Sequence, residues 1–239
     1  MSRKVTRKQL EKMIANGEDV TQVDTSRIRD MSHLFEGNKT FNQDISGWNV
    51  SNVTDMCYMF NLAESFNQDL SCWNVSNVKY MNAMFRMAKS FNGDISNWDM
   101  SNVTNMMEMF YGAITFNQDL SKWNVSHVTN MCCMFKNAKT FNQDISSWDV
   151  KNVMTLSSMF DGATTFDKDL SNWSLNPSVN MSYMFKNCGV HNVYEFIKKT
   201  KVGIKLVIKD LLGNEMYKKV RDVPLDSVDS YLKMNKINE

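Results

Sequence analysis

Large apolar residues recur along this chain at a fixed interval of 25 positions, without an insertion or deletion from Met31 to Phe185. Methionine occupies two positions of this period, and tryptophan and phenylalanine occupy three. Recurrence at a fixed period is typical of a tandem-repeat protein, in which neighbouring units complete one another's core. The aromatic series are Trp48, Trp73, Trp98, Trp123, Trp148 and Trp173; Phe41, Phe66, Phe91, Phe116, Phe141 and Phe166; and Phe35, Phe60, Phe85, Phe110, Phe135, Phe160 and Phe185.

Each unit contains two apolar patterns separated by polar residues. Ile45, Trp48 and Val50 have the spacing of a short strand that turns alternate side chains inward. Residues 53–63 carry apolar side chains at three- and four-residue steps, which predicts a short helix with Ser51 as its N-cap. One such unit cannot bury its apolar face alone. We therefore predict an α/β repeat solenoid with one short strand and one short helix in every unit.

Both ends of the chain depart from the repeat and are predicted to cap it. Thr6 and Gln9 have capping-box spacing, and an apolar helical face follows them. Beyond the repeat we predict a hairpin of two strands and then a short helix. The predicted parts are an N-terminal capping helix in residues 1–19, about seven units in 20–189, and a C-terminal α+β cap in 190–239 with strands at 202–209 and 216–223 and a helix at 226–234.

Composition excludes several classes of protein. The 239 residues include 20 Met, 14 Phe and 6 Trp beside only 9 Gly and 2 Pro, so the chain is neither disordered nor collagen-like. The formal net charge of +1 gives no long-range attraction to nucleic acid. No apolar run approaches the roughly 18–20 residues that cross a bilayer. We predict no nucleic-acid partner and no membrane span.

The unit F-N-Q-D-[IL]-S-x-W-[ND]-V-S-N-V-x-x-M-x-x-M-F-x-x-A resembles the BspA-type leucine-rich-repeat-like family, a 25-residue repeat of unknown function found in mycoplasma surface lipoproteins. The resemblance covers about residues 20–190. It implies a leucine-rich-repeat-like solenoid with a role in adhesion or protein binding. Members occur as bacterial surface proteins and in large viruses of protists.

The location expected for this chain differs from that of many bacterial members, which carry an export signal or a lipobox. The N-terminal residues are basic but contain no apolar segment of a signal peptide. Five cysteines without framework spacing, beside many methionines, favour a reducing compartment. We expect a cytoplasmic location or one within a virus particle, with the cell surface as the alternative.

The sequence predicts no catalytic, cofactor or metal site. His33, His127 and His191 lie in three separate regions, and the units have no insertions that could form a long active-site loop. The adjacent pair Cys132 and Cys133 lacks the spacing of zinc ligands. We therefore predict that the protein is not an enzyme. A competing hypothesis is an enzyme with its active site in the last 50 residues. That hypothesis requires clustered titratable groups between residues 198 and 229.

One row of aspartates is compatible with two roles. The carboxylates could bind Ca²⁺ between units, or each could accept backbone N–H groups of its own turn. We favour the turn role because calcium takes about six to eight oxygen ligands and each unit offers one recurring carboxylate. The row consists of Asp44, Asp69, Asp94, Asp119, Asp144 and Asp169.

Two surfaces could bind a partner. The Ser/Asn face, formed by positions equivalent to Gly47, Asn49 and Ser51, is small, polar and nearly uniform. Residue identity varies instead around the exterior of the predicted helix, and Tyr and Arg there are typical anchors of interfaces. We predict a non-catalytic scaffold that binds a protein; the alternative is a surface adhesin that binds a host protein or glycan through the Ser/Asn face. The candidate contact residues are Tyr58, Arg86, Glu108, Tyr111, Lys136 and Tyr183.

Overall fold

The computed structural model describes residues 3–189, and its regular elements lie at the N-terminal end. Strand β1 spans Arg3–Lys4, helix α1 spans Arg7–Ala15 and strand β2 spans Val23–Asp24. Strands β1 and β2 pair in parallel. Beyond β2, successive units lie side by side in a common register of 25 residues. Single parallel bridges join them at Asp30–Asp55, Asp55–Tyr80, Tyr80–Asn105, Asn105–Asn130, Asn130–Thr155 and Thr155–Asn180.

Helix α1 begins with the predicted capping box. Thr6 Oγ1 accepts the N–H of Gln9 at 3.3 Å, and Gln9 Oε1 accepts the N–H of Thr6 at 2.9 Å. Leu10 and Met13 are buried against the first unit. Gly17 follows the helix with φ of +70°, a left-handed conformation that glycine adopts without steric cost. The capping box and the apolar face predicted for this helix are confirmed.

Arg7 supplies hydrogen bonds that a preceding unit would otherwise make. Its guanidinium donates to the carbonyl of Asp30 at 3.1 Å and to that of Ser32 at 2.6 Å. One unit further on, the carbonyl equivalent to that of Asp30 belongs to Asp55 and accepts the N–H of Met31 at 2.9 Å. The side chain of Arg7 therefore satisfies backbone acceptors at the open side of the first unit.

The core is a set of continuous aromatic rows. Phe85 and Phe91 stack within one unit at 3.9 Å between ring centroids, and Phe85 lies 5.7 Å from Phe110 of the next unit. Each tryptophan is only 3% exposed. The indole N–H donates back to the preceding unit, as Trp73 does to the carbonyl of Ile45 at 3.1 Å. The inward position predicted for the tryptophan row is confirmed.

Residues 53–63 and their equivalents are built from consecutive turns rather than the predicted helix. Tyr58 has φ of 56°, whereas helical residues have φ near about −63°. The N–H of Met59 donates three residues back within its unit at 3.2 Å, and that of Phe60 donates to Met84 of the next unit at 2.8 Å. Because alternate N–H groups bond to the next unit, the ladder of i→i−4 bonds that defines a helix does not form.

The predicted strand segment is also irregular. Ile45, Trp48 and Val50 are buried as expected, but the N–H of Trp48 closes a turn on the carbonyl of Ile45 at 3.0 Å. Ser51 caps no helix, because its N–H donates to Asn49 Oδ1 at 3.1 Å in a side-chain-closed turn. The structure therefore differs from the predicted strand-plus-helix unit, while the choice of buried positions agrees with it.

Two further expectations concern other parts of the chain. The predicted C-terminal cap in residues 190–239, with the candidate enzyme region and His191, lies outside the described residues. Within residues 3–189, no helix is long and apolar enough to cross a membrane.

Candidate functional site

The six candidate contact residues lie in two neighbouring rows that we call the lateral surface. Tyr58, Glu108 and Tyr183 belong to the first row, and Arg86, Tyr111 and Lys136 belong to the second. The first row consists of His33, Tyr58, Ala83, Glu108, Cys133, Ser158 and Tyr183, and the second of Glu36, Asn61, Arg86, Tyr111, Lys136, Asp161 and Lys186.

The backbone of the first row is constrained. All seven residues have positive φ, between 53° for Ser158 and 60° for His33. This left-handed conformation costs a non-glycine residue of order 1–3 kcal/mol and persists only where surrounding bonds hold it. Those bonds reach the next unit, as when the N–H of Tyr58 donates to the carbonyl of Asn82 at 3.0 Å. Side chains of this row therefore project from a backbone fixed on both sides.

Arg86 is the centre of the lateral surface. Its Nε lies 2.8 Å from Glu108 Oε2, and its guanidinium lies 5.1 Å from the ring centroid of Tyr111. Its Nη1 also donates to Asn61 Oδ1 at 3.3 Å. The ion pair and the cation–π contact cross the boundary between units, so the register brings three of the six candidates into one cluster.

The other three candidates make separate contacts. Lys136 Nζ lies 2.9 Å from Asp161 Oδ2, and this hydrogen bond raises the pKa of Lys136. Tyr58 stacks on His33 at 5.0 Å, near the N-terminal end of the row. Tyr183, in the last described unit, is 48% exposed and lies under the ammonium group of Lys186. Tyr58 thus lies one unit before Arg86, and Tyr183 lies three units beyond Glu108.

Sequence reasoning missed the N-terminal extension of the cluster. Glu36 Oε1 accepts a hydrogen bond from Asn61 Nδ2 at 2.6 Å, and its other oxygen contacts His33 Nδ1. These contacts lower the pKa of Glu36 against the opposing effect of burial. Since Asn61 also contacts Arg86, polar contacts run from Glu36 to Glu108 without a break. The sequence does contain the information that places them there, because Glu36 and Asn61 occupy the same repeat position as Arg86.

The Ser/Asn face uses its polar groups internally. Asn49 Oδ1 accepts both the N–H and the hydroxyl of Ser51, at 3.1 and 2.7 Å, and the units at Asn74 and Asn124 repeat this arrangement. One groove of about 450 Å³ opens on this face beside Asp24, Asp44 and Gly47. The side-chain oxygens of Asn49, Asn74 and Asn124 are therefore already engaged within their own turns.

The aspartate row has the predicted turn role. Asp44 Oδ1 accepts the N–H of Ser46 at 3.0 Å, and such bonds lower the pKa of Asp44, Asp119 and Asp144. Within residues 3–189, no group of three or more His, Cys, Asp or Glu is placed to hold a metal ion. The same bond recurs in Asp69–Ser71, Asp94–Ser96, Asp119–Ser121, Asp144–Ser146 and Asp169–Ser171.

Comparison with known proteins agrees with the repeat. A family model described as "Mycoplasma protein of unknown function, DUF285" matches residues 4–106 and again residues 91–195. No match was found among curated proteins or among solved structures. The two matches together span most of the chain and include all six tryptophans of the 25-residue unit. The chain therefore belongs to DUF285, a Mycoplasma repeat family of unknown function.

Proposed function

We propose that this protein is a non-catalytic scaffold that binds a protein partner through the lateral surface. We further propose that its units form a leucine-rich-repeat-like solenoid of the BspA type. Bonds between equivalent residues of successive units support that architecture, since the N–H groups of Met56, Tyr58, Phe60 and Leu62 all donate to the following unit. A rigid stack suits a scaffold, because a partner meets side chains at fixed positions.

The contrast between the two faces is the observation that carries this proposal. On the Ser/Asn face, nearly identical polar residues close turns in every unit. On the lateral surface, side chains change from unit to unit and include arginine and tyrosine, which dominate the binding energy of many interfaces. Arg86 and Glu108 remain about one-third exposed while their contacts orient them. Such an oriented, partly exposed cluster loses little side-chain entropy on binding.

A non-catalytic role agrees with how the lateral surface uses its titratable groups. His33 contacts Glu36, Arg86 pairs with Glu108, and Lys136 pairs with Asp161. Each of these groups is engaged by a neighbour on its own surface.

A matched pair of double variants tests the lateral surface. Arg86→Ala with Tyr111→Ala removes one cation and one aromatic ring from it. Lys122→Ala with Tyr80→Ala removes the same chemistry elsewhere, because Lys122 lies on the Ser/Asn face and Tyr80 is 47% exposed outside both rows. Tagged proteins are purified from the native cells, and co-purifying proteins are quantified by mass spectrometry. We expect a partner that the lateral variant loses at least about tenfold and the control retains.

The design also has a clear negative result. Both variants should melt within a few degrees of the wild type, which separates lost binding from lost folding. Equal recovery of every co-purifying protein with the lateral variant and the wild type would contradict the use of this surface. A partner lost only with the control variant would place the interface outside the lateral surface.

The groove beside Gly47 favours a second candidate, a surface adhesin that binds a glycan. A Cβ at Gly47 would meet nothing within 4 Å, so Gly47→Asn should fill the groove without disturbing the fold. Binding of the wild type to a glycan array, abolished by Gly47→Asn, would favour the adhesin. The two candidates also differ in location: we propose the cytoplasm or a virus particle, and labelling of the chain on intact cells would refute that location.

A further inference from the structure

Cys132 and Cys133 place two thiols side by side beside the lateral surface. Their sulfur atoms lie 3.6 Å apart, and both side chains are half-buried. Cys133 belongs to the first row of that surface, between Glu108 and Ser158. Consecutive residues of an extended strand point to opposite faces, so adjacency in the sequence alone does not bring two side chains together.

The backbone holds the two sulfurs on the same side. Cys133 has φ of 56°, and its N–H donates to the carbonyl of Ser157 at 2.8 Å. The carbonyl of Cys132 accepts the N–H of Glu108 at 2.9 Å. The peptide group between the two cysteines is therefore bonded to both neighbouring units, which restricts its rotation.

This arrangement disfavours a direct disulfide. Consecutive Cα atoms are about 3.8 Å apart across a trans peptide, whereas disulfides usually span roughly 4.4–6.8 Å between Cα atoms. Joining the sulfurs directly would distort a peptide that both neighbouring units hold in place. A larger atom placed between the sulfurs can bridge them without drawing them into bonding distance.

The surroundings keep Cys133 in the thiol form. Burial and the neighbouring Cys132 raise the pKa of Cys133 to about 12, against the opposing effect of Lys136. Glu108 faces the same thiol and raises the pKa further. Zinc requires deprotonated thiolates, and thiol–disulfide exchange also proceeds through a thiolate. A preformed thiolate is not required by an electrophile whose leaving oxygen takes up the thiol protons during the reaction.

We propose that Cys132 and Cys133 form a dithiol site that binds trivalent arsenic compounds. An arsenic oxide of the type R–As=O condenses with both thiols and forms two As–S bonds. The two S–H bonds and the As=O bond break, and both protons leave with the oxygen as one water molecule. Arsenic remains trivalent, so the reaction needs neither an oxidant nor a reductant.

The probe is phenylarsine oxide, added to the full-length folded chain and followed by intact-mass spectrometry. We expect one phenylarsenic group per chain. A small dithiol such as 2,3-dimercaptopropanol should displace it, and the same thiol concentration supplied as a monothiol should not. Cys132→Ser and Cys133→Ser should each abolish the adduct.

The chain itself supplies the controls for these variants. Ser157 occupies the position equivalent to Cys132, and Ser158 has φ of 53° at the position equivalent to Cys133, so both serines are compatible with the fold. Cys57 is also equivalent to Cys132, and its sulfur contacts Asn82 Oδ1 at 2.7 Å rather than a second thiol. Cys57→Ser should keep the adduct.

Two outcomes would overturn the proposal. One is an adduct that survives Cys132→Ser or Cys133→Ser in a variant that melts like the wild type. The other is equal labelling of Cys57→Ser, Cys132→Ser and the wild type by several phenylarsenic groups, which would indicate reaction at single thiols.

Discussion

Trp123 lies fourth among the six tryptophans of the core, and its indole makes three kinds of contact. The side chain is 3% exposed, and the indole N–H donates to the carbonyl of Ile95 at 3.1 Å. Its ring is parallel to that of Trp148 at 6.4 Å and tilted against Phe110 at 6.2 Å. Trp123→Ala removes all three contacts and leaves a cavity between two units. We expect a loss of about 3–5 kcal/mol in the free energy of unfolding.

A second substitution separates packing from hydrogen bonding. Trp123→Phe keeps an aromatic ring but removes the donor to Ile95. That carbonyl also accepts the N–H of Trp98 at 3.2 Å, so it keeps one partner. We therefore expect Trp123→Phe to lower the free energy of unfolding by about 0.5–1.5 kcal/mol for the lost hydrogen bond. The packing loss adds to this value but is smaller than in Trp123→Ala. The difference between the two variants measures the contribution of the buried ring.

Urea denaturation monitored by near-ultraviolet circular dichroism measures these changes in the free energy of unfolding, and calorimetry measures them independently. The neighbouring exposed residue gives the control, because Lys122→Ala should change stability by less than about 0.5 kcal/mol. Stability of Trp123→Ala within about 1 kcal/mol of the wild type would refute the inward packing of the row. Equal losses for the Ala and Phe variants would show that the hydrogen bond, and not the buried ring, dominates.

Three other predictions concern the hydrogen bonds of the units. Arg7→Met should destabilise the first unit by about 1.5–3 kcal/mol in thermal unfolding, and Arg7→Lys should not restore it, since one ammonium group lacks the planar fork of donors. Because the N–H of Ser146 lowers the pKa of Asp144 in the folded state, this carboxylate stabilises the protein above about pH 4, and the stabilisation disappears as the pH falls. Asp144→Asn should therefore reduce the drop in melting temperature between pH 7 and pH 3; an unchanged drop would contradict this role. In other units, the position of His127 is an asparagine whose Nδ2 donates to a carbonyl of the preceding unit, as in Asn102 and Asn152. His127→Asn should therefore add a hydrogen bond to the Ser101 carbonyl and raise the free energy of unfolding by about 0.5–1.5 kcal/mol. A lower melting temperature of this variant would contradict the prediction.

The lateral surface was predictable in part. Arg86, Tyr111 and Lys136 are spaced by 25 residues, so the period predicts that they lie in one row on the same side of the stacked units, whatever the local backbone conformation. The contact between Arg86 and Glu108 could not be predicted in this way. It joins different rows of adjacent units and depends on where the turns direct each side chain. The proximity of the Cys132 and Cys133 sulfurs was hidden for the same reason, since it depends on a positive φ at Cys133.

By itself, the sequence determined the period, the buried positions and the capping box at Thr6, because these depend on residue identity and spacing alone. Only the tertiary structure decided the backbone of residues 53–63. Apolar side chains at three- and four-residue steps can line a helix, but they can equally line a series of turns. Alternate N–H groups of this segment bond to carbonyls of the next unit 24 residues further on, as Phe60 does to Met84. Those partners exist only once the units are side by side, so no local pattern could reveal them.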